Sequence, residues 1–164
     1  MCIRDRSLGD QARNPGALNF GGRAKRFGAV ESYEGTTGNF TAVFPTVSHG
    51  MAALMDLIWS RTGLTIYDYL FGGGEQPVSR SYSGGTYGHE AMQGYIAVFG
   101  EFGIAMDAKI TGDANQLRQM VAAHTKAEGN KMQPSLVQQA AAFIILQGTS
   151  KYIEGTELQD SVIA

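Results

Sequence analysis

The sequence predicts one mainly helical domain of the α+β class, with a small β-hairpin near its N-terminus. Apolar residues recur at spacings of three and four through several segments after residue 46, as they do on helices. A stretch ending at residue 44 alternates with the period of a strand. A chain of 164 residues is long enough to bury one hydrophobic core. We expect this domain to cover residues 7–147 and a C-terminal tail to cover 148–164.

The start of the chain is expected to be foreign to the domain. Met-Cys-Ile-Arg-Asp resembles the translated end of a transposon adapter used in sequencing libraries, so we expect residues 1–6 to be an adapter artefact. With Cys2 set aside no cysteine remains, which excludes a disulfide framework, cysteine-ligated zinc and thiol catalysis. No apolar segment follows these residues, so no signal peptide is expected.

The hairpin is predicted over about residues 27–44. Phe40, Ala42 and Phe44 alternate with polar or smaller neighbours, as in a short half-buried strand. Residues 35–39, Gly-Thr-Thr-Gly-Asn, have the composition of a turn, and Pro45 ends the strand. Before the hairpin, the Asn-Pro-Gly of residues 14–16 predicts a turn leading into an extended piece.

Five helices are predicted after the hairpin, each from an apolar stripe and a start or stop signal. They run from Thr46 or Ser48 to Gly63, from Thr65 over Leu70, from His89 to Phe102, from Asp113 to Gly129 and from Ser135 to Gln147. Asp113 with Gln116, and Ser135 with Gln138, have the spacing of capping boxes.

The segment Gly72–Gly88 is predicted to be a long loop rich in glycine, serine and tyrosine. Loops of this length are uncommon in compact domains and are often functional, so we hypothesise that it is mobile and borders the functional surface. Its Tyr82 and Tyr87, with Arg80, are suited to stack on sugar rings or to make assembly contacts; a plain surface loop is the alternative. Gly72 to Gly74 do not have the context of a phosphate-binding loop.

The composition argues against several classes of partner. The formal net charge is −2, which gives no reason to expect nucleic acid or an anionic membrane as a partner. No run approaches the roughly 20 apolar residues that a membrane span needs. His49, His89 and His124 lack metal-ligand spacing, so neither a metal nor another cofactor is expected.

Several motifs occur together in an order that resembles a known family. They are Arg13-Asn-Pro-Gly-Ala-Leu-Asn-Phe20, Gly38-Asn-Phe-Thr-Ala-Val-Phe-Pro45, Gly50-Met-Ala-Ala-Leu54, Gly63-Leu-Thr-Ile66, Tyr95-Ile96 and Ala122–Gly129. Over about residues 13–129 the chain resembles phage virion proteins described as structural lysozyme-like or peptidoglycan-hydrolase proteins. The resemblance implies a lysozyme-like fold, bacterial peptidoglycan and other virion proteins as partners, and a location in the phage virion or host cell envelope. The family's Trp-Ala-Pro-Pro-x-Glu-Asn segment is absent; Phe71-Gly-Gly-Gly-Glu-Gln-Pro77 and an insertion stand there instead.

The resemblance also implies a catalytic residue. Cleavage of a glycan strand needs a carboxylic acid that stays protonated near neutral pH. Glu128 stands at the family's Glu-Gly position at the end of the fourth predicted helix. Glu31 and Glu34, beside the predicted hairpin, are the alternatives. A glutamate at the end of a helix is more often a solvated surface residue.

Four further residues are candidates for substrate binding: Tyr82, Tyr87, Tyr95 and His124. His124 lies four residues before Glu128 on one helix face, so we expect the two side chains to be able to hydrogen-bond. A histidine beside an apolar stripe is more often simply packed.

Three functions stay open at this stage. The first is cleavage of peptidoglycan glycan strands by general-acid catalysis, as a glycoside hydrolase or a lytic transglycosylase. The second is a non-catalytic virion or tail protein, which the absent Trp-Ala-Pro-Pro segment favours. The third is a small carbohydrate-binding module that uses the tyrosine-rich loop. An enzyme needs a cleft with a half-buried glutamate, whereas an assembly protein should present a broad apolar patch.

Overall fold

The computed structural model describes residues 8–34, 40–73, 80–85 and 87–157, with the side chains of 8, 9, 31–34 and 40 left undescribed. The helices are α1 (Leu8–Gln11), α2 (Gly22–Arg26), α3 (Val47–Trp59), α4 (Ile66–Phe71), α5 (His89–Glu101), α6 (Ala114–Ala127) and α7 (Leu136–Ser150). The strands are β1 (Glu31–Glu34) and β2 (Phe40–Val43). The prediction of a mainly helical chain is confirmed. None of the helices in this part of the chain is long and apolar enough to cross a bilayer.

The strands form the predicted hairpin. β1 pairs antiparallel with β2, with Glu31 opposite Val43 and Glu34 opposite Phe40. The connecting residues 35–39 lie outside the described part. Ala42 and Val43 are buried against the helices, so β2 is the strand that joins the hairpin to the core.

Helix α3 is the centre of the core. The sequence predicted one apolar face for this helix, yet Met51, Leu54, Met55 and Ile58 are buried together with almost every other residue of α3. Helices α2, α6 and α7 all contact α3, and α7 does so most extensively. Because several elements cover it, α3 is surrounded rather than amphipathic.

Four of the five predicted helix starts have a side-chain cap, whereas α5 begins without one. The Ser135 side chain accepts a hydrogen bond from the Gln138 N–H, and the Gln138 side chain accepts one from the Ser135 N–H, which confirms a full capping box. At Asp113 only half of the predicted box forms. Asp113 accepts from the Gln116 N–H, but Gln116 Oε1 accepts from the Thr111 N–H at 2.9 Å instead.

The segment before the hairpin is held tightly to β2 and α3. Asn14 is fully buried; its amide donates to the carbonyl oxygens of Leu18 and Ala42, and its Oδ1 accepts from the Leu18 N–H, each at 2.9 Å. These bonds close the predicted turn onto β2. On the α3 side, a Cβ at Gly50 would lie 2.2 Å from the Arg13 carbonyl oxygen, so the two backbones touch.

The end of the described chain also packs on the core. Helix α7 continues beyond the predicted Gln147 to Ser150. Tyr152 then packs edge-on against Trp59, with ring centroids 5.0 Å apart, and its hydroxyl donates to the Gly112 carbonyl. The sequence predicts only a tail for residues 148–164, because a single buried tyrosine after a helix has no periodicity.

Candidate functional site

A cluster of tyrosine hydroxyls surrounds one carboxyl group. Glu128, the C-terminal cap of α6, is half-buried, and its Oε1 accepts hydrogen bonds from three tyrosines. The Tyr82 hydroxyl lies 2.7 Å away and the Tyr87 hydroxyl 3.0 Å away, and Tyr95 makes the third bond. Tyr82 and Tyr87 lie before α5, and Tyr95 lies on α5. These residues therefore meet the end of α6 at the carboxyl group of Glu128. We call these four residues the Tyr–Glu cluster.

Packing of α5 on α6 positions two members of the cluster. Tyr95 is buried on the inward face of α5, as its apolar spacing predicts. Glu128 follows the last turn of α6, where its N–H donates to the His124 carbonyl. Gly129 then adopts a φ of +76°, which favours glycine and turns the chain away. The Glu128 side chain is thus left at the helix end, facing the tyrosines.

The other two tyrosines belong to the loop between α4 and α5. The Tyr82 N–H donates to the Tyr69 carbonyl at 2.6 Å, and the Ser83 N–H donates to the Leu70 carbonyl at 3.2 Å. These bonds fasten residues 82–83 to the last turns of α4. The hypothesis of a mobile loop also concerns residues 74–79 and 86, which lie outside the described residues.

A pocket of about 230 Å³ opens beside the cluster, and Glu128, Tyr82 and Tyr87 line it together with Leu57 and residues 17–19. The Tyr82 hydroxyl lies within hydrogen-bond reach of both the Gly16 carbonyl and Glu128. A phenol has one proton, so Tyr82 donates to one acceptor at a time. Sequence analysis did not assign residues 16–19 or Leu57 to a site; the only available signal was the Asn-Pro-Gly turn.

The tyrosines of the cluster stay protonated at neutral pH. Burial raises the pKa values of Tyr82, Tyr87 and Tyr95 above their ordinary value, and the charge of Glu128 raises each of them further. They therefore act as hydroxyl donors. Sequence analysis assigned them to contacts with substrate, whereas in the structure their hydroxyls are directed to Glu128.

His124 is a buried neutral residue next to the cluster. Burial lowers its pKa to about 3. Its Nε2 lies 2.9 Å from the Tyr69 hydroxyl, and its Nδ1 is buried without a hydrogen-bond partner among the described residues. The Tyr82 ring packs against the imidazole at a centroid distance of 4.5 Å. The side-chain hydrogen bond that the spacing allows between His124 and Glu128 does not form, because the imidazole turns into the core toward Tyr69.

This burial predicts a pH-dependent stability. The folded-state pKa of His124 lies below the unfolded value of about 6.5, so the unfolded chain takes up a proton that the folded chain does not. This contribution is complete above about pH 6.5 and declines as the pH falls toward 3. We expect the free energy of unfolding to fall by about 1 kcal/mol per pH unit in that window.

Urea unfolding of the unmodified chain and of His124→Gln, measured between pH 8 and 4, checks this. Glutamine can still bond to Tyr69 but does not titrate, so the difference between the two curves should shrink as the pH falls. His89→Gln, at an exposed position, is the control and should keep the slope of the unmodified chain. A slope that is unchanged in His124→Gln would contradict a neutral, buried imidazole.

Glu31 and Glu34 are the remaining catalytic candidates. The backbones of Glu31 and Glu34 lie in β1, but their side chains are outside the described residues. Within the described part of the chain, no three histidine, cysteine, aspartate or glutamate side chains lie together as a metal site would need. Glu128 Oε2 makes no hydrogen bond to a described residue, so it is the oxygen left for a ligand.

Comparisons with family models, with curated proteins and with solved structures found no match for this chain. The functional argument therefore depends on the geometry of the Tyr–Glu cluster and its pocket.

Proposed function

We propose that this chain is a phage virion-associated protein that cleaves the glycan strands of bacterial peptidoglycan, with Glu128 as the general acid. The observation that carries the proposal is a half-buried glutamate that lines a pocket and is held by three tyrosine hydroxyls. The resemblance of residues 13–129 to lysozyme-like virion proteins supports the same residue and implies a lysozyme-like fold.

The cluster orients the carboxyl group for this role. The tyrosine hydroxyls donate to Oε1 and hold the carboxyl group in one orientation. Oε2 has no partner among the described residues, so it is the oxygen from which a proton would pass to the glycosidic oxygen. As the C1–O bond breaks, positive charge develops at C1 and the ring oxygen. Within the described residues, Glu128 forms no salt bridge.

The second group of the reaction comes from elsewhere. Among the described residues, Glu128 is the one carboxyl group that lines the pocket. The N-acetyl group of the substrate, or Glu31 or Glu34, would then stabilise the positive charge. Addition of water at C1 gives hydrolysis, and attack by the sugar's own 6-hydroxyl gives an anhydro end. In both cases the attacking hydroxyl returns a proton to Glu128.

A second candidate function is a non-catalytic virion or tail protein. The observation that favours it is an exposed apolar face on α7, where Leu136, Val137 and Ile144 are 81%, 79% and 69% exposed. Such a face is typical of assembly contacts. The missing Trp-Ala-Pro-Pro segment points the same way. In this case the Tyr–Glu cluster would serve only to hold the loop and the two helices together.

Incubation of the folded chain with purified peptidoglycan tests the proposal. Release of soluble muropeptides is expected, and mass spectrometry of their reducing or anhydro ends assigns the reaction. A folded sample that releases nothing from several wall types would overturn the proposal and favour the structural candidate.

A further inference from the structure

A second and larger pocket lies along α6, away from the Tyr–Glu cluster. Its volume is about 520 Å³, and it shares no lining residue with the pocket at Glu128. Its walls come from α6, from the loop 130–134, and from Phe102 and Gln139, which flank it at the ends of α5 and α7. Met51 of α3, which is 1% exposed, contributes from the core. We call this pocket the α6 groove.

One face of α6 forms the length of the groove. Arg118, Ala122 and Lys126 line it at intervals of four residues, so they lie on the same face. Eight residues of helix separate Arg118 from Lys126, which corresponds to about 12 Å along the axis. Ala122, between them, has only a methyl side chain. The middle of the groove is therefore open and lined by a methyl group, and a cation lies toward each end.

The lining carries three positive charges and no acidic residue. Arg118, Lys126 and Lys131 all line the groove. Lys131 has no ion pair within the described part of the chain. Lys126 pairs with Glu101 at 2.5 Å, but both side chains are more than half exposed, at 58% and 55%. An exposed pair of this kind contributes little, so a ligand carboxylate can replace Glu101.

Arg118 stays able to bind a ligand, and the nearby Asp10 does not add an acidic side chain to the lining. One nitrogen of Arg118 donates to Asn115, and the guanidinium lies over the Phe143 ring at 4.7 Å, which leaves other N–H groups of the fork for a ligand. The Asp10 carboxylate accepts the backbone N–H groups of Lys131 and Met132, each at 2.9 Å. Asp10 thereby stabilises the loop behind the groove and is not among its lining residues.

We propose that the α6 groove binds a short acidic peptide in an extended conformation, with carboxylates near both ends and small apolar residues between them. At about 3.3 Å per residue, four residues match the separation of Arg118 and Lys126. The ligand's small side chains would lie over Ala122 and the apolar residues beside it. We assign this ligand to an acidic segment of a partner protein; the peptides that branch from wall glycans share its chemistry and are compared with it in the test. The binding itself does not depend on cleavage at Glu128.

Titration of the ¹⁵N-labelled full chain with acetyl-Glu-Ala-Ala-Glu, followed by amide chemical shifts, tests the proposal. We expect shift changes to be concentrated at residues 118–126 and 130–133. The neutral analogue acetyl-Gln-Ala-Ala-Gln should bind more weakly, by up to about fivefold for each of the two exposed ion pairs that it cannot form. A soluble wall stem peptide, titrated in parallel, is expected to bind more weakly than acetyl-Glu-Ala-Ala-Glu.

Four variants test separately how the charge of the α6 groove and the shape of the α6 groove contribute to peptide binding. Lys126→Gln is expected to weaken binding about fivefold, and Ala122→Leu should block the groove while keeping all its charges. Lys109→Gln removes an exposed lysine outside the groove and should bind like the unmodified chain. Glu128→Gln should also bind normally, so loss of cleavage and loss of peptide binding can be told apart.

Three outcomes would overturn the proposal. One is the absence of shift changes in the groove with millimolar peptide and a folded chain. Another is equal binding of the acidic and neutral peptides. The third is an Ala122→Leu variant that stays folded and binds both probes as the unmodified chain does.

Discussion

Replacing Glu128 with glutamine is expected to lower the rate of muropeptide release by about 10²- to 10⁴-fold, the usual contribution of a general acid. Glutamine has nearly the same size and keeps a carbonyl oxygen that can accept the hydroxyls of Tyr82, Tyr87 and Tyr95. The change therefore removes the transferable proton while the hydrogen bonds around it can persist. Rates of release from purified peptidoglycan, with thermal unfolding of both proteins, give the comparison.

Glu90→Gln is the matched control. Glu90 is an exposed glutamate in the first turn of α5, outside both pockets. This variant should release muropeptides like the unmodified chain. Undiminished release by Glu128→Gln would remove Glu128 from the mechanism and direct the same test to Glu31 and Glu34.

Replacing Gly50 with alanine is expected to destabilise the fold by about 3 kcal/mol, the upper range for overpacking a core. The new Cβ would lie 2.2 Å from the Arg13 carbonyl oxygen and 3.0 Å from the Pro15 ring. A backbone oxygen cannot rotate away as a flexible side chain can. Either α3 or the segment that carries Asn14 must move. Because residues 17–19 line the pocket at Glu128, the site should lose its shape as well.

Gly94→Ala is the corresponding control, because Gly94 lies within α5 and a Cβ there meets nothing within 4 Å. It should stabilise the chain by up to about 1 kcal/mol, since alanine is the better helix former. Urea unfolding of both variants gives the two free energies. If Gly50→Ala unfolds at the same urea concentration as the unmodified chain, the contact between Arg13 and α3 is not close.

The sequence singled out the four residues of the Tyr–Glu cluster, but neither their arrangement nor Leu57 and residues 17–19 of the pocket. Glu128 was named from a resemblance, and Tyr95 from its place on an apolar stripe. The tyrosines that bond to Glu128 lie 33, 41 and 46 residues from it in the chain. Such distant pairings have no local pattern in a single sequence. They arise from the packing of α5 on α6 and from the attachment of residues 82–83 to α4.

His124 illustrates the same limit. Spacing along the helix places it one turn before Glu128, and this suggested a bond between the two side chains. The bond is absent because the imidazole is fully buried and pairs with Tyr69, 55 residues away. The spacing places His124 beside both Glu128 and the apolar stripe of α6, and only the packed fold decides which of the two the imidazole faces.

The helix starts and the strand could be predicted from the sequence because they depend on interactions between residues close in the chain. The side chains of Thr65, Asp113 and Ser135 cap helix starts within three residues of themselves, and alternation near Phe40 predicts a strand. Burial of α3 on nearly all sides, the turn of the imidazole toward Tyr69 and the convergence of three hydroxyls on one carboxyl required the assembled fold. Each depends on contacts between distant segments, and their free energy is realised only when the whole core packs.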